Sequence, residues 1–260
     1  MKISILKNKG RIPGFVKKLL TAAFWLCVWQ ATYFCVGQEI LVVSPACAFG
    51  RLFQLAEHVD FWLTALRSMA RILEGFLIGL TAGTLAAVLA ACSDLLRTVL
   101  QPLVHVIQAT PVASFIILAL VWMHADFVPI FAASLIVFPV AWSNVLEGIQ
   151  KTDKKLLQMS RLFRFGRLKT VRRVYVPSAA PYFAAACVTS LGLSWKAGVA
   201  AEVLSGIPLS IGNQIYDAKI YLETADLFAW TAVVIMLSVL LEALMKRLMH
   251  RISRKYAFGL

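Results

Sequence analysis

The chain has 260 residues, is 60% hydrophobic with a mean hydropathy of +0.78, and carries a formal net charge of +13. A single core of this size cannot hide so much apolar surface, so an ordinary water-soluble domain is excluded. The cations gather at the ends of apolar runs, which speaks for membrane topology and anionic lipid and against a nucleic-acid groove.

Six apolar runs approach or exceed the ~20 residues needed to cross a bilayer. They are Leu19–Val43, Arg71–Cys92, Leu103–Met123, Val128–Val145, Tyr182–Leu204 and Leu227–Leu244. The first follows basic residues, as a secretory signal would. It is too long for such a signal and lacks a small-residue cleavage site before Pro45, so it is expected to stay as a span. In the second, Gly75, Gly79 and Gly83 recur every four residues and share one helix face, where another backbone can approach closely. Arg67 and Arg71 extend that stripe, and Glu74 lies within ion-pair reach of Arg71.

The third run contains Pro102 and Pro111, and Pro111 lacks the N–H that a helix interior uses. Its stretch HVIQATP puts His105 and Gln108 at membrane depth. Two readings stay open: neighbouring helices satisfy these groups, or they face a water-filled path. The fourth run is the shortest and holds Pro139. In the fifth, Lys196 sits ~20 Å along the helix from Phe183, and Glu202 follows six residues later on a different face. Each therefore needs a partner on another helix or a place on a pathway, where Lys196 would attract anions.

With six spans and an inside N-terminus, twenty-one cations fall in inside segments and two, Arg51 and Lys219, in outside loops. That asymmetry fixes both termini on the cytoplasmic side. Catalytic chemistry is absent from the motifs. There is no phosphate-binding G-x-x-x-x-G-K-[ST], and the four histidines are scattered with no metal-like spacing. No cofactor and no metal is expected. The five cysteines are odd in number and lie mostly inside spans, as packed thiols would.

Residues 147–181 form a basic island with nine Lys or Arg against Glu147 and Asp153. Its first half reads as a helix capped by Asp153, with Leu156, Ser160 and Phe163 on one face. Pro177 and Pro181 are expected to stop any continuing helix. Such a helix either lies on anionic lipid or docks a cytosolic protein.

At this point the residues resemble a family. In the coupling loop of ABC importer permeases, E-A-A is followed by Gly four residues after the second Ala and by Pro 13 residues beyond that Gly. Gln158, Met159 and Ser160 fall where that family has E-A-A, Arg164 where it has Gly, and Pro177 on its Pro. TALRSMARILEGFLIG, LQPLVHVIQATPVASF, SLGLSWKAGVAAEVLSG and SIGNQIYDAK are similar to successive motifs of the nitrate, sulfonate and taurine branch, with Trp195, Glu202 and Gly212 in register. Together these stretches cover roughly residues 60–245.

The resemblance implies an all-α polytopic membrane protein of about six transmembrane helices, similar to type I ABC importer permeases, in a bacterial plasma membrane. It implies a permease subunit that is not itself an enzyme. Two copies would form one pathway for a small solute, cytosolic ABC ATPase subunits would bind the loops, and an extracytoplasmic solute-binding protein would deliver substrate. The implied coupling surface comprises Asp153, Leu156, Gln158, Ser160, Phe163, Arg164, Gly166 and Pro177. Candidates for pathway or gate are His105, Gln108, Pro111, Trp195, Lys196, Glu202 and Gly212. Gly206–Leu222 would be an outer contact or gate, or else an interfacial helix anchored by Tyr216 and Tyr221. The organisation expected is a first span with its flanks (1–60), a permease core (61–250) and a short tail (251–260). The rivals are an ion-coupled secondary transporter, which would commonly show inverted repeats, and a membrane-embedded enzyme or scaffold with a lipid-binding loop.

Overall fold

The structure is a computed structural model that describes residues 14–257. Lys2, Lys7, Lys9 and Arg11, part of the expected inside charge, lie outside the described residues. Every regular element among the described residues is helical: α1 (Gly14–Val36), α2 (Pro45–Ala56), α3 (Val59–Cys92), α4 (Asp94–Ala109), α5 (Val112–Trp122), α6 (Val128–Gln150), α7 (Lys154–Leu162), α8 (Arg167–Thr170), α9 (Val176–Ser205), α10 (Ile211–Ile220) and α11 (Thr224–Ala257). Five helical stretches are long and apolar enough to cross a membrane, and a sixth span results if α4 and α5 count as one broken span.

Several boundaries differ from those expected, each for a local reason. The first span ends at Val36, because Gly37 takes a left-handed φ of +63° and turns the chain toward α2. Ser44 caps α2, its Oγ accepting the Cys47 N–H at 3.3 Å, and Pro45 stands at the first helical position. α3 starts twelve residues before Arg71, since Phe61, Thr64 and Ser68 already face the interior. The third span is not continuous. α4 and α5 meet at 103° across Thr110 and Pro111, where the missing N–H ends the first helix and the ring starts the second. α5 has 11 residues, about 17 Å of helix, too short to cross alone.

Pro177 and Pro181 do not stop the helix as expected. α8, a π turn over Val171–Tyr175 and α9 run on as one apolar helical stretch, Arg167–Ser205. Pro177 sits in the first turn of α9, directly after the wider π turn in which the Val176 N–H donates to the Val171 carbonyl. There its absent N–H and its ring are accommodated. The thiols also depart from the expected packing: Cys187 is buried, whereas Cys27, Cys35, Cys47 and Cys92 are exposed.

α3, α6, α9 and α11 enclose the core, centred on Ile72, Phe76, Leu191 and Trp195. The α3–α6 seam is built by the glycine stripe. A Cβ at Gly75, Gly79 or Gly83 would stand 2.8 Å from the Cβ of Ala133, Val137 or Ala141, respectively, and closer still to an α6 carbonyl oxygen. With no hydrophobic driving force between helices in lipid, such close packing is what holds them together. Around this core the apolar surface stays exposed, for example Trp25 and Trp62, as an apolar solvent permits.

Candidate functional site

Three places hold the candidate residues, and the first is a buried polar node at the end of the bundle away from the basic island. Glu202 of α9 is fully buried. Its Oε2 accepts from the Ser68 hydroxyl of α3 at 2.8 Å and from the Gly212 N–H of α10 at 3.2 Å. Ser68 Oγ in turn accepts the Ile211 N–H at 2.8 Å. The carboxylate thus sits at the N-terminus of α10, where free N–H groups and the helix dipole favour negative charge. Gly212 is obligatory in this contact, because a Cβ there would collide with the Glu202 side chain and the Val203 backbone.

Arg71 completes the node. Its guanidinium lies 3.8 Å from Glu202 Oε1 and 3.6 Å from Asp126 Oδ1, in the short turn before α6. Arg71 Nη1 and Glu202 Oε1 have no hydrogen-bond partner, so these two pairs act through charge alone. The pairing of Arg71 with Glu74 that spacing allowed is not formed; the cation reaches across helices instead. Of the other pathway candidates, Trp195 is buried and its indole N–H donates to the Val234 carbonyl at 3.1 Å, which ties α9 to α11. Lys196 is exposed and forms no ion pair with any described residue. Tyr216 of α10 and Tyr221, which caps its C-terminus, are exposed.

The second place is a polar cleft of about 210 Å³ between α4 and α6. It collects His105 and Gln108, and it adds Arg97, Gln101, Ser143 and Glu147, which sequence reasoning did not select. A signal was present: residues 97, 101, 105 and 108 repeat at helical spacing along one face of α4. Pro111 marks the helix break just beyond this cleft.

The third place is the basic island. Asp153 caps α7, its Oδ1 accepting the Lys155 N–H at 2.8 Å. Ser160 is buried and Leu156 half-buried, while Gln158 is exposed. Phe163 leaves the buried face because α7 ends at Leu162, and it projects with Leu162 and Leu168 into solvent, each more than 60% exposed. Phe165 packs 6.5 Å from Phe163, and Lys169 Nζ lies 4.3 Å above the Phe165 ring. Gly166 precedes α8 as its cap. At the entrance to the island Lys151 bonds Glu147 at 2.6 Å, and this hydrogen bond holds the Lys151 ammonium above the usual lysine range.

Arg164 stands at φ +50°, a left-handed position. The Phe165 N–H donates to Ser160 O at 2.8 Å and the Arg164 N–H to Arg161 O at 3.0 Å, the bond pair of a Schellman C-cap. Glycine is the residue such a cap favours, and a side chain there costs about 1 kcal/mol. Arg164→Gly is therefore expected to slow amide exchange across residues 159–165 by about fivefold, read by hydrogen–deuterium exchange of the intact membrane protein. Unchanged exchange would mean that Arg164 compensates its own strain.

Residues 79–257 match the family described as "Binding-protein-dependent transport system inner membrane component". The putative aliphatic sulfonates transport permease SsuC of Bacillus subtilis is 24% identical over 254 residues, covering 96% of this chain and 92% of that protein. The bicarbonate transport permease CmpB of Synechococcus elongatus is 31% identical over 163 residues, 61% of this chain and 57% of its own length. The nitrate import permease NrtB of Leptolyngbya laminosa is likewise 31% identical, over 162 residues, 61% of this chain and 56% of its own. Among solved structures, one described as an amino acid ABC transporter with histidines superposes with a TM-score of 0.59 at 16% identity, covering 73% of this chain and 91% of that one. The chain is a multi-pass protein of the bacterial cell membrane that works with an ATPase and a substrate-binding protein. It belongs to the family of inner-membrane components of binding-protein-dependent transport systems, as a permease subunit of an ATP-driven importer.

Proposed function

We propose that two copies of this chain form one translocation pathway for a small oxyanion, with both termini and the island at 147–181 in the cytosol, and that α7 and its flanks carry the ATPase contact. The observation behind the docking role is the exposed apolar cluster on the island, Leu162, Phe163 and Leu168. In a segment this basic, water-exposed apolar side chains are unfavourable unless a partner covers them. Aromatic anchors that fill a partner's pocket carry much of an interface's binding energy. The oxyanion rests on the sulfonate, bicarbonate and nitrate permeases among the relatives.

In this reading, ATP-driven closure of the ATPase pair moves the two islands together and biases the pathway between its inward- and outward-facing states. The far-end node fixes α10 against α3 and α9, so a binding protein seated on α10 would press on the same helices that the island moves. Phe163→Asp buries a charge where an aromatic ring anchored. It is expected to cost the ATPase contact about 2 kcal/mol, roughly a 30-fold loss of affinity, while membrane insertion stays intact. Copurification of ATPase subunits with tagged permease, titrated in detergent, measures this. Wild-type retention of the ATPase by Phe163→Asp would reassign the cluster to a lipid contact.

A further inference from the structure

The polar cleft between α4 and α6 is rich in groups that the fold does not use. Arg97, Gln101, His105 and Gln108 line its α4 wall, and none makes a side-chain hydrogen bond or ion pair with another described residue. On the α6 wall, the Glu147 carboxylate is engaged by Lys151 at 2.6 Å, which leaves Arg97 as the unpaired formal charge of the cleft. The remaining inventory is rich in donors: the five N–H groups of a guanidinium, the three side-chain amides of Gln101, Gln108 and Gln150, an imidazole and the Ser143 hydroxyl. Elsewhere in the spans many hydroxyls bond the backbone of their own helix, as at Thr81, Ser134, Ser190 and Thr231, and Ser68 and Glu202 bond each other.

From this arrangement we infer that the α4–α6 cleft is a binding site for a small oxyanion at the basic end of the pathway, with Arg97 as its anchor. The planar fork of Arg97 matches two oxygens of a nitrate, carboxylate or sulfonate head, which a lysine would meet as a point charge. Trp142 and Leu146 give the cleft an apolar side that suits a short organic tail. The cleft is open on one side, and its volume of about 210 Å³ leaves room for a small solute. Gln101 and Gln108, one turn to either side of His105, adapt as donors to anions of different shape. This inference rests on the pathway reading above and deepens it by naming the residues that would select the solute.

The test uses the permease–ATPase complex labelled with 5-fluorotryptophan and followed by fluorine NMR, with the Trp142 resonance assigned by Trp142→Phe. Sodium nitrate, sodium methanesulfonate and, as a cation control, methylammonium chloride are titrated. The expected result is a saturable shift of the Trp142 resonance with nitrate or methanesulfonate and none with methylammonium. Arg97→Gln should weaken that binding at least tenfold, and Arg97→Lys, which keeps the charge without the fork, should fall between. An unmoved Trp142 resonance in an intact complex, equal binding by Arg97→Gln, or a response to methylammonium alone would overturn the site and leave the coupling role standing. A permease that binds the anions but retains no ATPase would overturn the coupling role and leave the site.

Discussion

Replacing Glu202 with leucine is expected to lower the stability of the folded permease by about 3–5 kcal/mol, the cost of breaking a buried ion pair from one side. The sign runs against simple insertion energetics. On translocon scales an apolar residue at depth is favoured over a charged one by ~2.5–3.5 kcal/mol, so leucine should insert more readily. Destabilisation would come from what Glu202 holds: the Gly212 N–H and the Ser68 hydroxyl lose their acceptor, and the Arg71 guanidinium loses its buried counter-charge. Asp126 is two-thirds exposed and cannot replace a buried counter-charge. The double variant Arg71→Met, Glu202→Leu should regain much of the loss, since it removes both charges together. The half-inactivation temperature of the purified complex, followed by fluorescence-detected size exclusion, reads all three proteins. A Glu202→Leu protein as heat-resistant as the wild type would show that α10 is held by packing alone.

Gly79→Val is expected to be at least as damaging, for a steric reason. The first added carbon would lie 2.8 Å from the Val137 Cβ and closer to the Ser134 carbonyl oxygen, so backbone rather than a movable side chain must give way. Overpacking costs about 1–3 kcal/mol where side chains can adjust, and more is expected where two long helices must part along a shared seam. Loss of monodisperse protein in detergent would report it. Gly50→Ala is the matched control, because nothing lies within 4 Å of that position; it should match the wild type or gain slightly from a better helix former. If Gly79→Val purifies as well as Gly50→Ala, the seam is looser than its geometry indicates.

The spans were legible because each apolar run is a local property of the chain, and so was the glycine face of α3, since a four-residue repeat survives in any helix. What sequence could not give is where a helix bends or whom a charge meets. Pro111 and Pro177 are the same residue type, yet one ends a helix at 103° and the other is passed through, because a π turn precedes only the second. Arg71 had Glu74 at a favourable spacing and still found Asp126 and Glu202, which lie 55 and 131 residues further along the chain. Such partners are set by tertiary packing, which no window of sequence contains. The polar face of α4 is legible in its spacing; His105 and Gln108 stand out as polar groups at membrane depth, whereas Arg97 and Gln101 precede the apolar run that begins at Leu103.

The uninterrupted passage from Arg167 to Ser205 has a mechanical consequence. Thirty-nine residues at ~1.5 Å each make a beam of about 58 Å, with the basic loop at one end and Glu202 near the other. Pivoted near its middle, such a beam behaves as a seesaw: a tilt of ~10° carries each tip by about 5 Å, in opposite directions. Opening at one membrane face and closing at the other would then need no relay of contacts between them, because both are the same displacement seen from two ends.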